Sequence, residues 1–448
     1  MKCILNCRFS KVVSAGALVF AVSALAVAQT PPGANAGVPP PPTSSGNAPA
    51  PVQTRIPLDR AIELALQHNH SLLAARSTID QNRAEEITAN LRPNPVVTWD
   101  ALFLPVFSPS SFTSQYVENS AEFDLGVSYL IERGKKRQHR LQAARDQTAQ
   151  SAATVADNER TIAANVAQQF IGALLAEANL ELARMDLEGF QNTVQISQAR
   201  YQAGDIGEGD LLKIKLQLLQ FQMDLNSAQL AKVQALANLR ALVGFESIPE
   251  NYDVDGELEY QPVHLNLDDL KLLGLRNRAD YRAAQLGVTA AQSQLTLAQA
   301  VGKRDLTAAV DYTHVSGING LSFIFNIELP IFTRNQGEIA RARAGVNQAQ
   351  ENRSASSEAV LTDVTNAYEN LRTNDEVMTL YNSGYLQQSQ QSRDISQYAY
   401  QRGAASLLDY LDAERSYRAT QLAYRQALAS YMLALEQLRQ AVGTRSLP

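Results

Sequence analysis

The segment FDLGVSYLI (Phe123–Ile131) alternates, up to Tyr129, between large apolar side chains and polar or small ones. Its large apolar residues are Phe123, Leu125, Val127, Tyr129 and Ile131, and the residues between the first four of them are Asp124, Gly126 and Ser128. Because successive side chains of a β-strand point to opposite faces, this period of two predicts a strand with one apolar and one polar face.

A second segment, LSFIFNIEL (Leu321–Leu329), repeats this alternation, and only Ile324 interrupts its polar series. The segments 96–103 and 305–314 are the predicted hairpin partners of the two strands. Alternating stretches of about 9–10 residues match the strands of transmembrane barrels, which are apolar outside and polar inside. The residues predicted to face lipid are Phe123, Leu125, Val127, Tyr129, Leu321, Phe323, Phe325 and Ile327. A soluble hairpin with one buried face is the alternative.

A very long helix is predicted to follow the first hairpin. Between Gly134 and Ala203 there is no proline, and the only glycines are Gly172 and Gly189. At about 1.5 Å per residue, a helix of about 70 residues spans roughly 100 Å, far beyond an ordinary globular helix. Its apolar stripe consists of Val155, Ile162, Val166, Phe170 and Leu174. Such a narrow stripe suits helices packed side by side, as in a coiled coil.

The chain also contains an internal repeat. Residues 58–61 align with 267–270 at an offset of 209, and residues 201–204 align with 400–403 at an offset of 199. The difference fits a longer loop in the first copy, around 104–120. A duplication of this length determines the architecture of the whole chain.

Each predicted repeat, 56–250 and 251–448, has the same order of elements. A first helix of about 30 residues covers 58–90 in the first repeat and 267–301 in the second. A β-hairpin follows, and then two long helices separated by a glycine break.

Two hairpins supply four strands, which cannot close a barrel, because the smallest barrels need about eight. An open sheet in lipid would leave its edge groups unpaired, at several kcal/mol for each group. Strands from several chains must therefore join. Two chains would reach eight strands, whose interior is filled by side chains, whereas three would reach twelve and leave a pore.

The N-terminus is predicted to be a signal peptide, residues 1–28, followed by a flexible linker, residues 29–55. A basic start precedes an apolar run at 12–27, and Ala26-Val27-Ala28 fits the cleavage rule. The linker is rich in proline, serine, glycine and alanine.

Composition excludes several classes of protein. Both cysteines, Cys3 and Cys7, lie within the predicted signal, so we expect a mature chain without disulfides, thiolate zinc sites or a lipidated cysteine. The net charge is −6, and loss of the three basic residues of the signal would make it −9. An acidic exported chain makes a poor nucleic-acid partner.

Several motifs, taken together, resemble the TolC-like outer-membrane efflux family. The pattern L-x-x-A-x-x-L-A-L-x-x-N at 58–69 resembles its opening helix, and Arg92–Pro95 resembles the proline turn into its first strand. Leu329–Phe332 resembles the end of its fourth strand. The glycine breaks at 201–204 and 400–403 resemble its periplasmic hairpin tips.

This resemblance covers residues 56–444 and implies an α+β membrane protein. The implied homotrimer has long α-helical hairpins that form a periplasmic tunnel, and four strands per chain that contribute to a twelve-stranded β-barrel in outer-membrane lipid. Such a channel docks onto a periplasmic adaptor (membrane fusion) protein and an inner-membrane pump, and it needs no cofactor. Two further motifs, 131–135 and 332–337, resemble the CzcC-like branch, associated with heavy-metal cation efflux. Many relatives carry a lipidated N-terminal cysteine that this sequence lacks, so anchoring is expected to rest on the barrel alone.

The resemblance also implies a channel gate. Asp409 and Asp412 follow the second glycine break and match the family's acidic constriction. Being three residues apart, they share one helix face, and three copies would place six carboxylates around the tunnel mouth. Such a ring repels like charge, binds cations and narrows the path. Two solvated surface aspartates are the alternative.

The hairpin tips are predicted to face the adaptor. The residues concerned are Tyr201, Gly204, Leu211, Tyr400, Gly403 and Leu411. The alternative is that they only shape the turns, since a helix reversal needs a residue that tolerates positive φ.

No catalytic or metal site is predicted. The five histidines lack the spacing of metal ligands, and no nucleophile motif or phosphate loop is present. Two other functions remain open, namely an outer-membrane channel for type I protein secretion and a soluble periplasmic coiled-coil scaffold or adaptor.

Overall fold

A computed structural model describes residues 54–447 of the chain. The predicted signal peptide and all but the end of the predicted linker lie outside the described residues. None of the helices in this part of the chain combines the length and the apolarity that a membrane span requires.

The same order of elements occurs twice along the chain. The first half contains β1 (Thr54–Pro57), α1 (Leu58–His68), α2 (His70–Asn90), β2 (Val96–Leu102), a 3₁₀ turn (Pro109–Ser111), α3 (Ser114–Asn119), β3 (Glu122–Ile131), α4 (Lys136–Ala203) and α5 (Glu208–Val243). The second half contains β4 (Tyr252–Asp255), α6 (Leu267–Asn277), α7 (Ala279–Val301), β5 (Leu306–Val315), β6 (Ile318–Ile327), α8 (Gln336–Leu380), a π-helical turn (Tyr381–Tyr385), α9 (Leu386–Gln401) and α10 (Leu407–Val442).

The first helix of each half is split in two, so the prediction of continuous helices at 58–90 and 267–301 is wrong. The breaks fall at Asn69 and Arg278, both of which have extended backbone angles. Neither residue is glycine or proline, which is why a pattern of helix formers and breakers does not reveal the breaks.

Side-chain hydrogen bonds hold both breaks in place. The amide of Asn69 donates to the carbonyl of Leu242 at 2.8 Å, and the guanidinium of Arg278 donates to that of Ala441 at 3.5 Å. Arg278 also pairs with Asp363 at 2.7 Å. Leu242 and Ala441 lie in the last turns of α5 and α10. The end of the second long helix therefore determines where the first helix of the same half bends.

The predicted hairpins join into one antiparallel sheet with the order β2-β3-β5-β6. The β5–β6 turn is Ser316–Gly317, with both φ angles positive, as a tight two-residue hairpin requires. The β2–β3 connection is much longer and contains α3. The outer edges of β2 and β6 have no strand partner within residues 54–447.

The helices pack around three apolar clusters. The predicted stripe of α4 is confirmed, because Val166, Phe170 and Leu174 are buried against α1, α5 and β4. A second cluster joins α6, α8 and α10, and a third lies where α4, α5, α9 and α10 meet near the two glycine breaks. The predicted very long helix is α4, with 68 residues. Its counterpart is interrupted by the π-helical turn, in which Gly384 has a φ of 114°.

Candidate functional site

The sheet presents one continuous apolar face. Its register places Trp99, Leu125, Tyr312 and Leu321 in one cross-strand row. Phe323 and Phe325 are 66% and 68% exposed, and Trp99 is 69% exposed. All eight residues predicted to face lipid lie on this face, and seven are exposed while Phe123 is half-buried. An apolar face of this extent marks an interaction with lipid or with another protein.

The opposite face of the sheet is polar and acidic. Asp100 lies directly across from Asp124, and Asp311 lies directly across from Gly126. A Cβ atom at Gly126 would stand 1.8 Å from a carboxylate oxygen of Asp311, so the aspartate occupies the space that a side chain would take. Within residues 54–447 no group of three or more His, Cys, Asp or Glu side chains is arranged to hold a metal ion.

Each half of the chain has one helix reversal, between α4 and α5 in the first half and between α9 and α10 in the second. The two reversals lie side by side. Gly204 and Gly403 have φ angles of 83° and 73°, which glycine adopts without strain. Arg200 donates to the carbonyl of Tyr400 at 2.9 Å, and the ring of Tyr400 stacks on that of Tyr410 at 5.5 Å. The hydrogen bond joins the reversal of the first half to that of the second, and the stacked rings join the two helices of the second half.

Burial divides the residues predicted to face an adaptor into two groups. Leu211 and Tyr400 are each 4% exposed, and Tyr400 belongs to the apolar cluster behind the tips. Leu411 is half-buried against the same cluster. Their side chains support the reversals from inside this chain and offer little surface to another protein. The exposed residues of the set are Tyr201, Gly204 and Gly403.

The paired acids each have a partner within one helical turn. Asp409 completes a capping box with Ser406, accepting from the Ser406 hydroxyl at 2.7 Å and from its amide at 3.2 Å. Asp412 pairs with Arg415 at 3.2 Å. Both aspartates are exposed in the single chain. Asp409 therefore also stabilises the start of α10, a role that the sequence analysis did not assign to it.

An ion cluster that the sequence analysis missed joins the two halves above the tips. Arg418 of α10 contacts Asp186 of α4 at 2.9 Å and Asp224 of α5 at 2.7 Å. The guanidinium also lies 4.4 Å from the centre of the Phe221 ring. No sequence signal could have found this cluster, because its members come from three helices and Arg418 lies 232 and 194 positions from its two partners.

Glu414, one turn before Arg418, is buried beside this cluster and has no hydrogen-bond or ion-pair partner among the described residues. Burial raises the pKa of the Glu414 carboxyl, and nearby Arg393 opposes that shift without cancelling it. Burial likewise raises the pKa of Asp186, although Arg418 acts in the other direction. The contact between α4 and α10 therefore contains two carboxyls whose pKa lies above its ordinary value.

Most of the chain is similar in sequence to members of one known protein family. The model of the family described as "Outer membrane efflux protein" matches residues 61–245 and 273–444. The cobalt-zinc-cadmium resistance protein CzcC of Cupriavidus metallidurans is 25% identical over 395 residues, which cover 86% of this chain and 88% of that protein.

The names of two further relatives also refer to exported substances. The pyoverdine export outer membrane protein OpmQ of Pseudomonas putida is 23% identical over 385 residues, covering 80% of each chain. The cation efflux system protein CusC of Escherichia coli is 27% identical over 278 residues, covering 58% of this chain and 59% of that one. Among solved structures, the outer membrane protein VceC from Vibrio cholerae superposes with a TM-score of 0.70 at 23% identity, covering 86% of this chain and 96% of that one.

Proposed function

This chain belongs to the outer membrane efflux protein family and is an outer-membrane channel of the efflux type, and from that premise we propose that three copies assemble into one pore. The observation that carries the proposal is the exposed apolar face of a four-stranded sheet whose edges, β2 and β6, are unpaired within residues 54–447. In lipid those edges must be paired, and four strands are too few to close on themselves. Three copies would supply twelve strands around a lumen lined by the polar face.

The pore would act as a passive exit duct without catalytic activity or a cofactor. An inner-membrane pump would supply the energy, and a periplasmic adaptor would join the two. We assign the adaptor-facing surface to Tyr201, Gly204 and Gly403, because these residues are exposed where the helices reverse. Leu211, Tyr400 and Leu411 would hold that surface in shape from behind.

Heavy-metal cations are the cargo that we propose. The name of CzcC supports this, since that relative covers most of the chain. Asp100, Asp124 and Asp311 on the polar face would also favour cations over anions along the lumen. Passage needs weak binding at several sites, so no tight metal site is required. The name of OpmQ supports a second candidate cargo, pyoverdine.

Deletion of the gene would test the cargo. We expect the host to lose tolerance to cobalt, zinc and cadmium salts, and the intact gene to restore it. A strain that loses tolerance only to organic compounds would contradict the assignment. Assembly is tested separately, because the proposal requires a detergent-extracted trimer from the outer membrane that dissociates on heating. A monomer that stays in water without detergent would end the proposal.

We further propose that Asp409 and Asp412 form the gate. Because Asp409 caps α10, alanine at that position would remove both a charge and a helix cap. Asp409→Asn with Asp412→Asn removes the charges and keeps side-chain oxygens as acceptors. In a planar bilayer the double variant should lose block by divalent cations and conduct more current. Unchanged block would show that the gate lies elsewhere.

A further inference from the structure

Lysine and arginine are confined to one end of the sheet. There is none from residue 93 to residue 132, a segment that includes β2, β3 and the loop between them, and none from residue 305 to residue 333, which includes β5 and β6. The end of the sheet nearest the helices, by contrast, carries a basic residue next to each of the four strands. The far end has the acids Glu118 and Glu122 instead.

Five cations at the helix end of the sheet are exposed, and we call them the basic collar. The members of the basic collar are Arg92, Arg133, Lys135, Lys303 and Arg334. Arg92 and Lys303 precede β2 and β5, whereas the other three follow β3 and β6. All four connections between the sheet and the helices therefore contribute to this surface.

The acids at the same end already have partners. Three ion pairs with N–O distances from 2.7 to 3.0 Å involve them, namely Glu132–Arg140, Asp305–Lys136 and Glu328–Arg304. Within residues 54–447 no member of the basic collar takes part in an ion pair. Like charges gathered without counterions repel one another, so an external anion would stabilise this end of the sheet.

Close backbone packing brings the basic collar of the two halves together. A Cβ atom at Gly134 would stand 2.6 Å from Cδ of Lys303, so the stem of Lys303 lies across the turn that follows β3. That turn carries two members of the collar. A Cβ atom at Gly302 would stand 2.9 Å from the carbonyl oxygen of Arg334. The collar is therefore a shared surface of both halves and not a set of scattered charges.

Each connection also exposes a large apolar side chain just before its cation. These apolar residues are Leu91, Ile131, Val301 and Phe332, which are 60%, 42%, 44% and 91% exposed. In every case a member of the basic collar follows within one or two residues. Leu329 and Ile331, beside Phe332, are 72% and 66% exposed.

This pairing of apolar and basic side chains fits the boundary of a bilayer. There the apolar groups and the aliphatic stems of lysine and arginine contact acyl chains, while the charged ends reach the headgroups. A water-filled lumen would provide cations with solvent but would leave exposed groups such as Phe332 without an apolar partner. The occupant that matches both features is a phospholipid.

The height of the basic collar agrees with the position of the headgroups. The apolar band of a transmembrane barrel is about 25 Å tall, and the headgroup layer adds roughly 5–7 Å on each side of the hydrocarbon. Arg133 lies two residues beyond the end of β3, and Lys303 lies three residues before the start of β5. Both side chains are therefore level with the headgroup layer when the sheet spans the hydrocarbon.

We propose that the basic collar binds the phosphate groups of anionic phospholipids in the leaflet nearest the helices. The guanidinium groups of the collar suit phosphate because they donate two parallel hydrogen bonds, and the lysines add positive charge. Leu329, Ile331 and Phe332 would contact the acyl chains of the same lipids. This inference rests on the proposed channel and adds the class of lipid that surrounds the base of its barrel.

Trp99 is a built-in probe for this proposal. It is the only tryptophan of the chain, it is 69% exposed on the apolar face of the sheet, and it lies three residues from the start of β2. The assembled protein would be placed in bilayers of phosphatidylglycerol and phosphatidylethanolamine in which only one of the two lipids carries bromine on its acyl chains. Bromine quenches tryptophan emission on contact, so the two mixtures report which lipid lies beside the sheet.

We expect brominated phosphatidylglycerol to quench Trp99 at least about threefold more effectively than brominated phosphatidylethanolamine, because each nearby cation favours an anionic headgroup by roughly fivefold. The preference should fall as salt is added. The triple variant Arg133→Gln, Lys303→Gln and Arg334→Gln should be quenched equally by the two lipids. The single variant Arg334→Gln should already reduce the preference, which keeps the test available if the triple variant does not assemble.

The matched control removes three exposed cations from the helices. Arg184→Gln, Lys215→Gln and Arg353→Gln lie in α4, α5 and α8, and within residues 54–447 these side chains also form no ion pair. The net charge of the control equals that of the test variant. It should keep the parental preference for phosphatidylglycerol.

Three results would overturn the lipid site and leave the proposed channel standing. They are equal quenching of the parent by both lipids, an equal loss of preference in the control, and a test variant that keeps its preference while its cation-to-anion permeability changes. The last result would place the basic collar in the lumen. Trp99 emission that neither brominated lipid quenches would overturn the channel itself, because the sheet would then not contact lipid.

Discussion

Gly126 and Asp311 form a cross-strand pair in which the Asp311 carboxylate occupies the space that a side chain at Gly126 would need. They are directly opposite each other on the polar face of the sheet, at the contact between the two hairpins. A larger residue at Gly126 must displace this carboxylate, because its Cβ atom would lie 1.8 Å from Oδ1 of Asp311. The glycine is required here by close approach and not by an unusual φ angle.

We predict that Gly126→Ala destabilises the assembled protein by about 1–3 kcal/mol, the usual cost of overpacking. Asp311→Ala in the same chain should restore most of that loss, because it empties the contested space. The temperature at which the detergent-solubilised trimer dissociates measures both effects. Gly172→Ala in α4 is a matched control, since a Cβ there meets nothing within 4 Å. Its change should be neutral or favourable by up to about 1 kcal/mol.

Glu414 gives a prediction about pH. Burial raises the pKa of this carboxyl above its ordinary value of 4.5, so the folded chain binds the proton more tightly than the unfolded chain does. The resulting stabilisation is fully present below the unfolded pKa and is lost as the pH rises through the folded pKa. The ionised form of Glu414 therefore destabilises the packing of α10 against α4 at neutral pH.

Glu414→Gln should accordingly raise the unfolding temperature at pH 7.5 and change it little at pH 4.5. Thermal unfolding followed by circular dichroism across this range measures the difference. Glu338→Gln, at an exposed position of α8, is the control and should leave the pH profile of the parent chain unchanged. An equal shift at both pH values would contradict the role given to ionisation.

At the scale of elements, Arg418 ties α10 to both long helices of the first half. Its guanidinium and the carboxylate of Asp186 are largely shielded from water, with 17% and 8% of their side chains exposed. Removing one member of a shielded ion pair leaves the other charge without compensation, which costs more than the pair itself contributes. The packing of α10 against α4 and α5 therefore depends strongly on Arg418.

Arg418→Met should lower the free energy of unfolding by about 3 kcal/mol. Arg415→Met, on the same helix, is the matched control. The Arg415 side chain is 74% exposed, and among residues 54–447 it pairs only with Asp412, so its loss should cost less than about 1 kcal/mol. Denaturant unfolding of the purified trimer measures both values. Similar losses in the two variants would show that shielding from water is not the deciding factor.

At the scale of the whole molecule, the sheet separates two environments. Ser322 and Phe323 are neighbours in the centre of β6, yet they lie on opposite faces. In the proposed pore, Phe323 would face lipid and Ser322 would face the lumen. Comparing the same substitution at Ser322 and at Phe323 therefore tests which face of the sheet contacts lipid.

Phe323→Arg should cost about 2–4 kcal/mol, as a charge near the bilayer midplane does, and should reduce the trimer recovered from the outer membrane. Ser322→Arg should be recovered at close to the parental yield, because the lumen is wet. Quantitative immunoblots of heated and unheated outer-membrane fractions compare the two. Equal losses would contradict the assignment of faces.

Local patterns were enough to predict the pieces of this molecule. The alternation at Phe123–Ile131, the long proline-free run before Ala203 and the glycines at 204 and 403 each express a preference of a few neighbouring residues. Such preferences depend on side-chain direction and on backbone angles, which are properties of short segments. The apolar face of the sheet and the positions of both helix reversals could therefore be predicted from the sequence.

Only the tertiary structure decided how these pieces meet. It placed β3 beside β5, bent the first helices at Asn69 and Arg278, and turned Tyr400 toward the interior instead of the outer surface of the tip. Each of these outcomes depends on contacts between residues about 80 to 200 positions apart. A linear pattern shows that a surface must be covered, whereas the identity of the covering residue is determined by packing and hydrogen bonding in three dimensions.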